Sequence, residues 1–414
     1  MATSFRRWLL VVQQPDGTDF VDHTALMSYS TSNPRIMCVN FSPAGDYIAF
    51  AGQWDDSFTD LYVSSIDGTT LNRMYNTMPF AADGVLDFGD NGDCKERFQI
   101  VPDSTKIIYT ADHDAGSERE LFSANLDGTG RIRISQNFSS SAQTVERILG
   151  VSPDSSWVVY MADFATNNQV QVYSAAVNSA STNALLAPDY ITSFEAGNYY
   201  RDFLFSDNSQ RAFFILGDNL YSNNQAGSDL IKLNPNDVTN IGKLYKLETT
   251  QTILYFGVQN SMTYLFAVNM DGTNHRALTD GTPFSSNQVI TSFDTADPRV
   301  VVVLKPGADN YDTQMLEIMV NTGVTSRLDK RDELGPMGYS VIDYIPGSNY
   351  RKYLMLSRIL SGSTLIYFVH YVDRDLNRTV ELSRGDYTGV EYRIYDGKVF
   401  IRKDNRMGFI PLPF

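Results

Sequence analysis

The chain has 414 residues, 43% of them hydrophobic and 12% aromatic, and a formal net charge of −15 at pH 7. A charge this negative argues against a nucleic-acid partner, because phosphate contacts require a basic surface. No apolar run reaches the roughly 18 residues of a membrane-spanning helix, so we expect no membrane insertion. The apolar stretch that follows Met1 is too short for a signal peptide, and none is expected.

A repeated segment organises the chain. Its first copy begins at Phe41 with Phe-Ser-Pro-Ala-Gly-Asp, continues through an apolar stretch, and ends at Thr69 with Ile-Asp-Gly-Thr. Similar copies occupy residues 101–129 and 151–173, and residues 264–279 repeat the second half. A repeat of this length predicts one small structural unit per copy, with neighbouring units stacked against each other.

Each unit has a short, continuous apolar strand near its middle. The starts of these strands lie about 41 to 60 residues apart, which is the spacing of four-stranded propeller blades. No long segment shows the i, i+3, i+4, i+7 pattern of an amphipathic helix. The central strands are predicted at residues 47–50, 107–110, 157–160, 212–215, 253–256, 300–304, 353–356 and 399–402.

Two kinds of turn bound the remaining strands of a unit. Ser-Pro turns beginning at Ser42 and Ser152 join the first strand to the second, and Asp-Gly hairpins at Asp67, Asp127 and Asp271 join the third to the fourth. Both kinds of turn should lie at one end of a blade, which we call the turn face. The loops between second and third strands, and the connections between blades, should lie at the other end, the loop face.

The predicted fold is therefore all-β, a single β-propeller of four-stranded blades. Eight blades are favoured, and seven remain open if one of the units without an Asp-Gly turn is a long insertion. The last unit reaches Phe414 after three strands, and residues 7–13 have the character of the fourth, so we expect this N-terminal strand to close the ring. The domain would span 1–414, with the closing strand and lead-in at 1–33 and the repeated blades at 34–414.

The repeats resemble those of TolB-type (WD40-like) β-propellers, which combine a Ser-Pro-Asp-Gly turn, an apolar strand, an acidic loop and an Asp-Gly hairpin. The match covers about half of the chain. The resemblance implies a binding platform, which in some members of the family is fused to a hydrolase domain. This chain lacks the Gly-x-Ser-x-Gly nucleophile elbow, and its eight units leave no room for a hydrolase domain or for the small α/β domain of TolB itself.

The loop face carries the aromatic, acidic and basic residue types from which interface hot spots are built. The alternative is that these are solvated loops whose aromatic side chains fold back onto the blades. Asp163 lies in one of the same loops. The predicted partner-binding residues are Trp54, Asp55, Asp56, Phe58, His113, Asp114, Glu118, Arg119, Phe164, Tyr190 and Phe194.

Metal binding and catalysis have weaker signals. Asp87, Asp90 and Asp93 have the short spacing of calcium ligands, but no bidentate Glu follows as in an EF-hand. Calcium, bound by these three aspartates, is therefore the one cofactor that the sequence suggests. None of the four histidines lies beside a plausible nucleophile. A buried cluster of carboxylate, His and Arg at the channel mouth would instead favour an enzyme.

The two cysteines, Cys38 and Cys94, are too few for a disulfide framework. One bond between them is conceivable, because both lie near the first strands of neighbouring units. Two separate buried thiols are favoured, since unpaired cysteine is among the residue types most often buried.

The predicted function is a non-catalytic binding module that recognises a protein or carbohydrate partner through its loop face. Two alternatives stay open: a structural component of a larger assembly, such as a phage particle or a cell-surface layer, and a channel-centred lyase or hydrolase. Richness in Asn, Ser, Thr and Tyr favours a periplasmic, extracellular or cell-surface location, with the virion or the cytoplasm as alternatives.

Overall fold

The computed structural model describes a chain built from β-strands. Two short 3-10 helices, Cys94–Glu96 and Glu248–Thr250, are the helical segments of the described part. None of the helices described is long and apolar enough to cross a membrane. The structure describes residues 11–13, 20–23, 35–53, 59–74, 94–111, 119–140, 143–180, 183–191, 202–279, 289–293, 299–304, 314–327, 338–344, 352–361, 364–373, 378–385, 391–395, 398–403 and 406–411.

Within these ranges, seven antiparallel sheets have four strands each, and the strands of each sheet are hydrogen-bonded in chain order. The first sheet comprises Arg35–Phe41, Tyr47–Gln53, Thr59–Ser65 and Leu71–Arg73. The second comprises Phe98–Ile100, Lys106–Ala111, Glu120–Asn125 and Ile132–Arg133. The third comprises Val145–Val151, Trp157–Ala162, Gln171–Ala176 and Asn183–Leu185. The fourth comprises Phe203–Phe205, Ala212–Leu216, Asn219–Asn223 and Ile231–Lys232.

The later sheets follow the same plan. The fifth comprises Leu244–Leu247, Thr252–Gln259, Met262–Asn269 and Arg276–Ala277. The sixth comprises Val289–Phe293, Arg299–Leu304, Gln314–Met319 and Val324–Arg327. The seventh comprises Gly338–Tyr344, Lys352–Ser361, Thr364–Asp373 and Arg378–Gly385. An eighth sheet has three strands among the described residues, Glu391–Tyr395, Lys398–Lys403 and Arg406–Pro411.

All eight predicted central strands are confirmed as the second strand of a sheet. Their continuous apolar sequence follows from burial on both faces: every residue of Trp157–Ala162 is buried, for example. The fold class is therefore all-β, with sheets of the propeller-blade type, as the TolB-type repeats predicted. Blade number stays a prediction.

The chain divides into two compact units, residues 1–233 and 234–414. In the first unit, three apolar cores lie between consecutive sheets, from the first to the fourth. The first strands of these four sheets also contact each other in order. In the second unit, a core joins the fifth and sixth sheets. Face-to-face packing of consecutive sheets is the stacking expected of blades.

The N-terminal strand Val11–Gln13 is paired with Phe20–Asp22 in a two-stranded sheet. The sequence predicted instead that residues 7–13 would supply a fourth strand to the last sheet. The pairing with Phe20–Asp22 is the one that the described residues show for this strand, so closure of the ring stays a prediction. The single-domain boundaries at 33 and 414 stay a prediction as well.

The Asp-Gly hairpins form as predicted, and their aspartates have a local role. In the second sheet, Asp127 Oδ1 accepts hydrogen bonds from the backbone nitrogen of Thr129 at 2.9 Å and from its hydroxyl at 2.6 Å. Gly128 has φ 83°, a left-handed conformation that glycine adopts without strain. The hairpins at Asp67 and Asp271 repeat this geometry. The Asp-Gly-Thr carboxylates are thus engaged by their own turns.

The turns between first and second strands contain a recurrent left-handed residue. In the first turn it is Gly45, at φ 75°. In the next three turns it is a serine: Ser104 at φ 55°, Ser155 at φ 61° and Ser209 at φ 59°. A non-glycine residue in this region is strained by about 1–2 kcal/mol. We therefore expect an interaction of each serine that offsets this backbone strain.

The compensating interaction is a bond to the preceding turn, and we call the set of three the serine relay. In each case the hydroxyl reaches back by one sheet, so that consecutive turns are tied together along the turn face. Ser104 Oγ donates to Asp46 Oδ1 at 2.9 Å, Ser155 Oγ accepts from the Asp103 backbone nitrogen at 3.0 Å, and Ser209 Oγ accepts from the Asp154 backbone nitrogen at 2.9 Å.

The first link of the relay also affects a carboxyl group. Burial alone would raise the pKa of Asp46, but hydrogen bonds from Ser42 and Ser104 bring the pKa below its ordinary value. Ser42 Oγ donates to Asp46 Oδ1 at 2.6 Å, within the same turn. The first turn is thus held by charge-assisted bonds from two serines.

The favoured expectation of two separate thiols is wrong. Cys38, at the middle of the first strand of the first sheet, is disulfide-bonded, and the only other cysteine in the sequence is Cys94. The backbone of the short helix Cys94–Glu96 packs next to that strand. The repeat pattern predicted that the two cysteines lie in neighbouring units, but a disulfide forms only when their Cα atoms approach within about 7 Å, which the pattern does not specify.

Candidate binding surface on the loop face

Three of the predicted partner-binding residues, Arg119, Phe164 and Tyr190, lie in the described part of the first compact unit. The other predicted residues, including the calcium candidates, fall outside the described residues, and their roles stay predictions. These are Trp54, Asp55, Asp56, Phe58, Asp87, Asp90, Asp93, His113, Asp114, Glu118 and Phe194. The described residues contain no group of three or more His, Cys, Asp or Glu side chains placed to hold a metal ion.

Phe164 belongs to the core and not to the exposed surface on which it was predicted. Its side chain is 6% exposed. The ring packs edge-on against Tyr173 at 4.9 Å and lies 5.3 Å from Phe138. Phe164 lies two residues after the end of the second strand of the third sheet, where its inward-facing ring covers the end of the apolar core. The alternative interpretation, aromatic side chains folded back onto the blade, is the correct one here.

Asp163 fixes the loop that Phe164 anchors. Its Oδ1 accepts from the Thr144 backbone nitrogen at 2.6 Å, and its Oδ2 accepts from the Asn168 backbone nitrogen at 2.9 Å. The carboxylate is almost fully buried, so these bonds replace the water it has lost. Gln143 donates to the Phe164 carbonyl at 2.8 Å and holds the other side of the loop. These hydrogen bonds therefore hold the loop in one conformation.

Arg119 belongs to a network of arginines and carboxylates at the loop-face ends of the second and third sheets. Its guanidinium lies 3.4 Å from Glu146 Oε2, and each of these two side chains is 22% exposed. Arg97 donates to the Glu146 carbonyl oxygen at 2.7 Å. Arg147 pairs with Glu96 at 2.9 Å. Glu146 and Arg147 open the first strand of the third sheet, Arg97 directly precedes the first strand of the second sheet, and Arg119 directly precedes its third strand. The network therefore lies at the loop-face ends of these two sheets.

The environment of Glu146 shifts its titration. Burial raises the pKa of this carboxyl group above its ordinary value, and the neighbouring charge of Asp163 adds to the effect. The guanidinium groups of Arg119, Arg97 and Arg147 oppose it, but they do not cancel it. A glutamate of this kind holds its proton to a higher pH than an exposed one.

Tyr190 is a solvent-exposed aromatic side chain on a firmly held backbone. Its side chain is 49% exposed. The next residue, Ile191, is buried and forms a two-way backbone bridge with Val170, with bonds of 2.9 and 3.0 Å. Gln171 donates to the carbonyl of Pro188 at 3.1 Å. The connection between the third and fourth sheets is therefore tied to the third sheet on both sides of Tyr190.

Asp189, directly before Tyr190, is tied to the fourth sheet. Its Oδ2 accepts from the Tyr221 hydroxyl at 2.5 Å and from the Asn219 amide at 2.9 Å. Burial raises the pKa of Tyr221 well above its ordinary value, and the hydrogen bond to Asp189 raises it further. The phenol therefore remains a donor at any ordinary pH.

Sequence reasoning missed Glu146, Arg147 and Asp189. A signal existed for the first two, because the strand Val145–Val151 opens with adjacent charges in an otherwise apolar segment. Asp189 had no such signal. Its importance comes from Tyr221 and Asn219, about 30 residues further on, which only the fold brings to it.

No family model and no curated protein matches this chain. Solved structures with a similar arrangement include an oligogalacturonate lyase in complex with manganese, at 11% identity and a TM-score of 0.38, covering 82% of this chain and 90% of that one. A prolyl endopeptidase has 11% identity and a TM-score of 0.44, covering 89% of this chain and 51% of that one. TolB from Agrobacterium tumefaciens has 15% identity and a TM-score of 0.33, covering 60% of this chain and 82% of that one. This chain thus spans about half the length of the prolyl endopeptidase.

Proposed function

We propose that this protein is a binding module that recognises a protein or carbohydrate partner through the loop face of its second, third and fourth sheets. The observation that carries the proposal is Tyr190, an exposed aromatic ring on a backbone that is hydrogen-bonded to the third sheet on both sides. An aromatic side chain on a preorganised backbone loses little conformational entropy on binding, and tyrosine is enriched among interface hot spots.

The surroundings of Tyr190 support the same proposal. The loop of Asp163 and the pair of Arg119 and Glu146 lie at the same end of the third sheet and are fixed by hydrogen bonds. Fixed loops carried on a rigid scaffold are where folds of this kind place binding sites. The partly exposed ion pair would form part of a polar rim around the aromatic contact.

The test compares Tyr190→Ala with Leu230→Ala, a control that truncates another exposed apolar side chain, next to the outer strand Ile231–Lys232. Both variants and the wild-type chain are immobilised and exposed to extract from the native source and to a glycan array. We expect Tyr190→Ala to lose at least tenfold in retained partner, the loss of a hot spot of about 1.4 kcal/mol or more. Equal retention by wild type and Tyr190→Ala would count against the proposal.

The second candidate function is a lyase or hydrolase active at the loop-face ends of the second and third sheets. The position of Glu146 beside three arginines favours it: burial raises the pKa of its carboxyl group above the ordinary value, and a carboxyl group that holds its proton to a higher pH is better suited to act as a general acid. The assay is release of new chain ends from a panel of polysaccharides. Glu146→Gln should abolish turnover, and Glu248→Gln, which changes a carboxylate of the second compact unit, should not. Turnover by Glu146→Gln at the wild-type rate would eliminate this role.

A further inference from the structure

The ion pair of Arg119 and Glu146 leaves most of the bonding capacity of both side chains unused. The contact from Arg119 Nη2 to Glu146 Oε2 is 3.4 Å long, whereas charge-assisted hydrogen bonds are about 2.7–2.9 Å. A guanidinium group has five N–H donors, and a carboxyl group has two oxygens. Neither group makes another hydrogen bond with the described residues. Each of the two side chains is 22% exposed, so solvent reaches both.

The backbone on both sides of this loose pair is held in place. Glu146 is the extra residue of a β-bulge in the first strand of the third sheet. The Arg119 backbone nitrogen donates to Thr144 Oγ1 at 3.2 Å, and the Arg119 carbonyl oxygen accepts from the Val145 nitrogen at 2.8 Å. Bulges re-aim a side chain and are common beside functional sites. A small group can therefore enter between the two side chains while the sheets keep their positions.

The charges around the pair favour a singly charged anion. Burial raises the pKa of Glu146, which favours its protonated form. With Glu146 protonated, three arginines among the described residues face two carboxylates, an excess of one positive charge. One carboxylate group of a ligand balances this excess, and its two oxygens match the planar fork of a guanidinium group. A doubly charged phosphate would leave an excess of negative charge. Besides the pair itself, the charged residues are Arg97, Arg147, Glu96 and Asp163.

We propose that Arg119 and Glu146 form a binding site for the carboxylate group of a small ligand, either an organic acid or an acidic sugar. The ligand carboxylate accepts hydrogen bonds from the Arg119 guanidinium group, and protonated Glu146 donates its O–H to the same carboxylate. Where Glu146 is ionised in the free protein, binding takes up one proton from solvent. This inference rests on the proposed function, and it names a ligand class for the loop face of the second and third sheets.

The site is better suited to a small ligand than to a broad protein surface. The side chains of its two ion pairs are between 19% and 29% exposed, so they are recessed. Small-ligand sites are concave and place a few polar groups in fixed positions. A stable protein interface instead needs a wide contact of about 800 Å² on each partner.

The test is titration calorimetry of the full chain with lactate, glucuronate, glucose and inorganic phosphate. Lactate or glucuronate should bind, and the tighter of the two identifies the source of the carboxylate. Glucose, which lacks the carboxylate of glucuronate, should not bind. Arg119→Gln should weaken carboxylate binding about tenfold or more. Lys95→Gln removes a positive charge from an exposed neighbour of Glu96 and should change binding less than about threefold. Thermal unfolding of each variant shows whether the fold is kept.

Proton uptake distinguishes this site from a general attraction of anions. A bound carboxylate favours the protonated form of Glu146, so the affinity should fall as the pH rises from about 5 to about 8. Calorimetry in buffers of different ionisation enthalpy should show protons taken up on binding. Glu146→Gln cannot take up this proton, and its affinity should stay nearly constant over the same pH range.

Four outcomes would overturn the carboxylate site. The first is that neither lactate nor glucuronate binds the wild-type chain. The second is that phosphate binds as tightly as the better carboxylate. The third is that Arg119→Gln binds like the wild type, and the fourth is that Glu146→Gln keeps the wild-type pH dependence. Capture of a partner that depends on Tyr190, with no carboxylate binding, would overturn the site and leave the proposed function standing.

Discussion

The serine relay predicts a difference between two substitutions of one residue. Ser155→Ala removes the hydroxyl that accepts the Asp103 backbone nitrogen but keeps a Cβ at φ 61°. The loss should be about 0.5–1.5 kcal/mol in the free energy of unfolding, the usual net contribution of one hydrogen bond, because Ser155 is buried but Asp103 is exposed. Ser155→Gly removes the same hydroxyl and also relieves the left-handed strain, so its loss should be about 1 kcal/mol smaller.

Two measurements check this difference. Urea unfolding followed by tryptophan fluorescence ranks the stabilities of the wild type, Ser155→Ala and Ser155→Gly; Trp157, buried two residues from Ser155, contributes to the signal. Amide exchange at Asp103 reports the bond itself and should accelerate in both variants. Ser156→Ala is the control: its exposed hydroxyl donates to Asp154 Oδ1 within its own turn, and the loss of that solvent-exposed bond should cost about 0.5 kcal/mol or less. Unchanged exchange at Asp103, or equal stabilities of Ser155→Ala and Ser156→Ala, would refute the reasoning.

Two further predictions concern the disulfide and a histidine. Cys38→Ser removes the disulfide, which closes a loop of about 57 residues to Cys94, and should lower the free energy of unfolding by up to about 4 kcal/mol. The measurement is urea unfolding of the wild type and the variant without reductant. Equal urea midpoints for the two proteins would exclude the bond. In the fifth sheet, Tyr255 Oη lies 2.6 Å from His275 Nε2, and burial lowers the pKa of His275. Below about pH 6.5 the unfolded chain therefore binds more protons at His275 than the folded chain does. The free energy of unfolding should then fall between pH 7 and pH 5, and it should fall less in His275→Gln.

The fold was predictable where a residue pattern has a local physical cause. The second strands were placed correctly because burial on both faces requires an unbroken apolar run, as in Trp157–Ala162. Asp-Gly turns were placed correctly because the chemistry of the turn lies within four residues, as at Asp127. The pairing of Val11–Gln13 with Phe20–Asp22 was missed because short strands without a turn signature leave several partners open.

The candidate surface was less predictable, because its geometry depends on residues far apart in sequence. The predicted strand order indicated that Phe164 and Tyr190 both lie on the loop face, but it did not reveal that one ring turns into the core and the other into solvent. That difference arises from packing against Phe138 and Tyr173 in one case, and from the bridge of Ile191 in the other. A single sequence carries no direct record of such contacts.

The direction of the serine relay bears on how a chain of this kind can lengthen by duplication. The third turn uses Ser155 to reach back to the second turn and offers the Asp154 backbone nitrogen to the fourth. A duplicated unit with this turn would bring its own backward link and would present a site to whatever unit follows. Gain or loss of a whole unit would then leave few hydrogen-bond donors and acceptors of the serine relay without a partner on the turn face. The repeat would be a self-contained module in evolution, free to multiply while the loop face diverges.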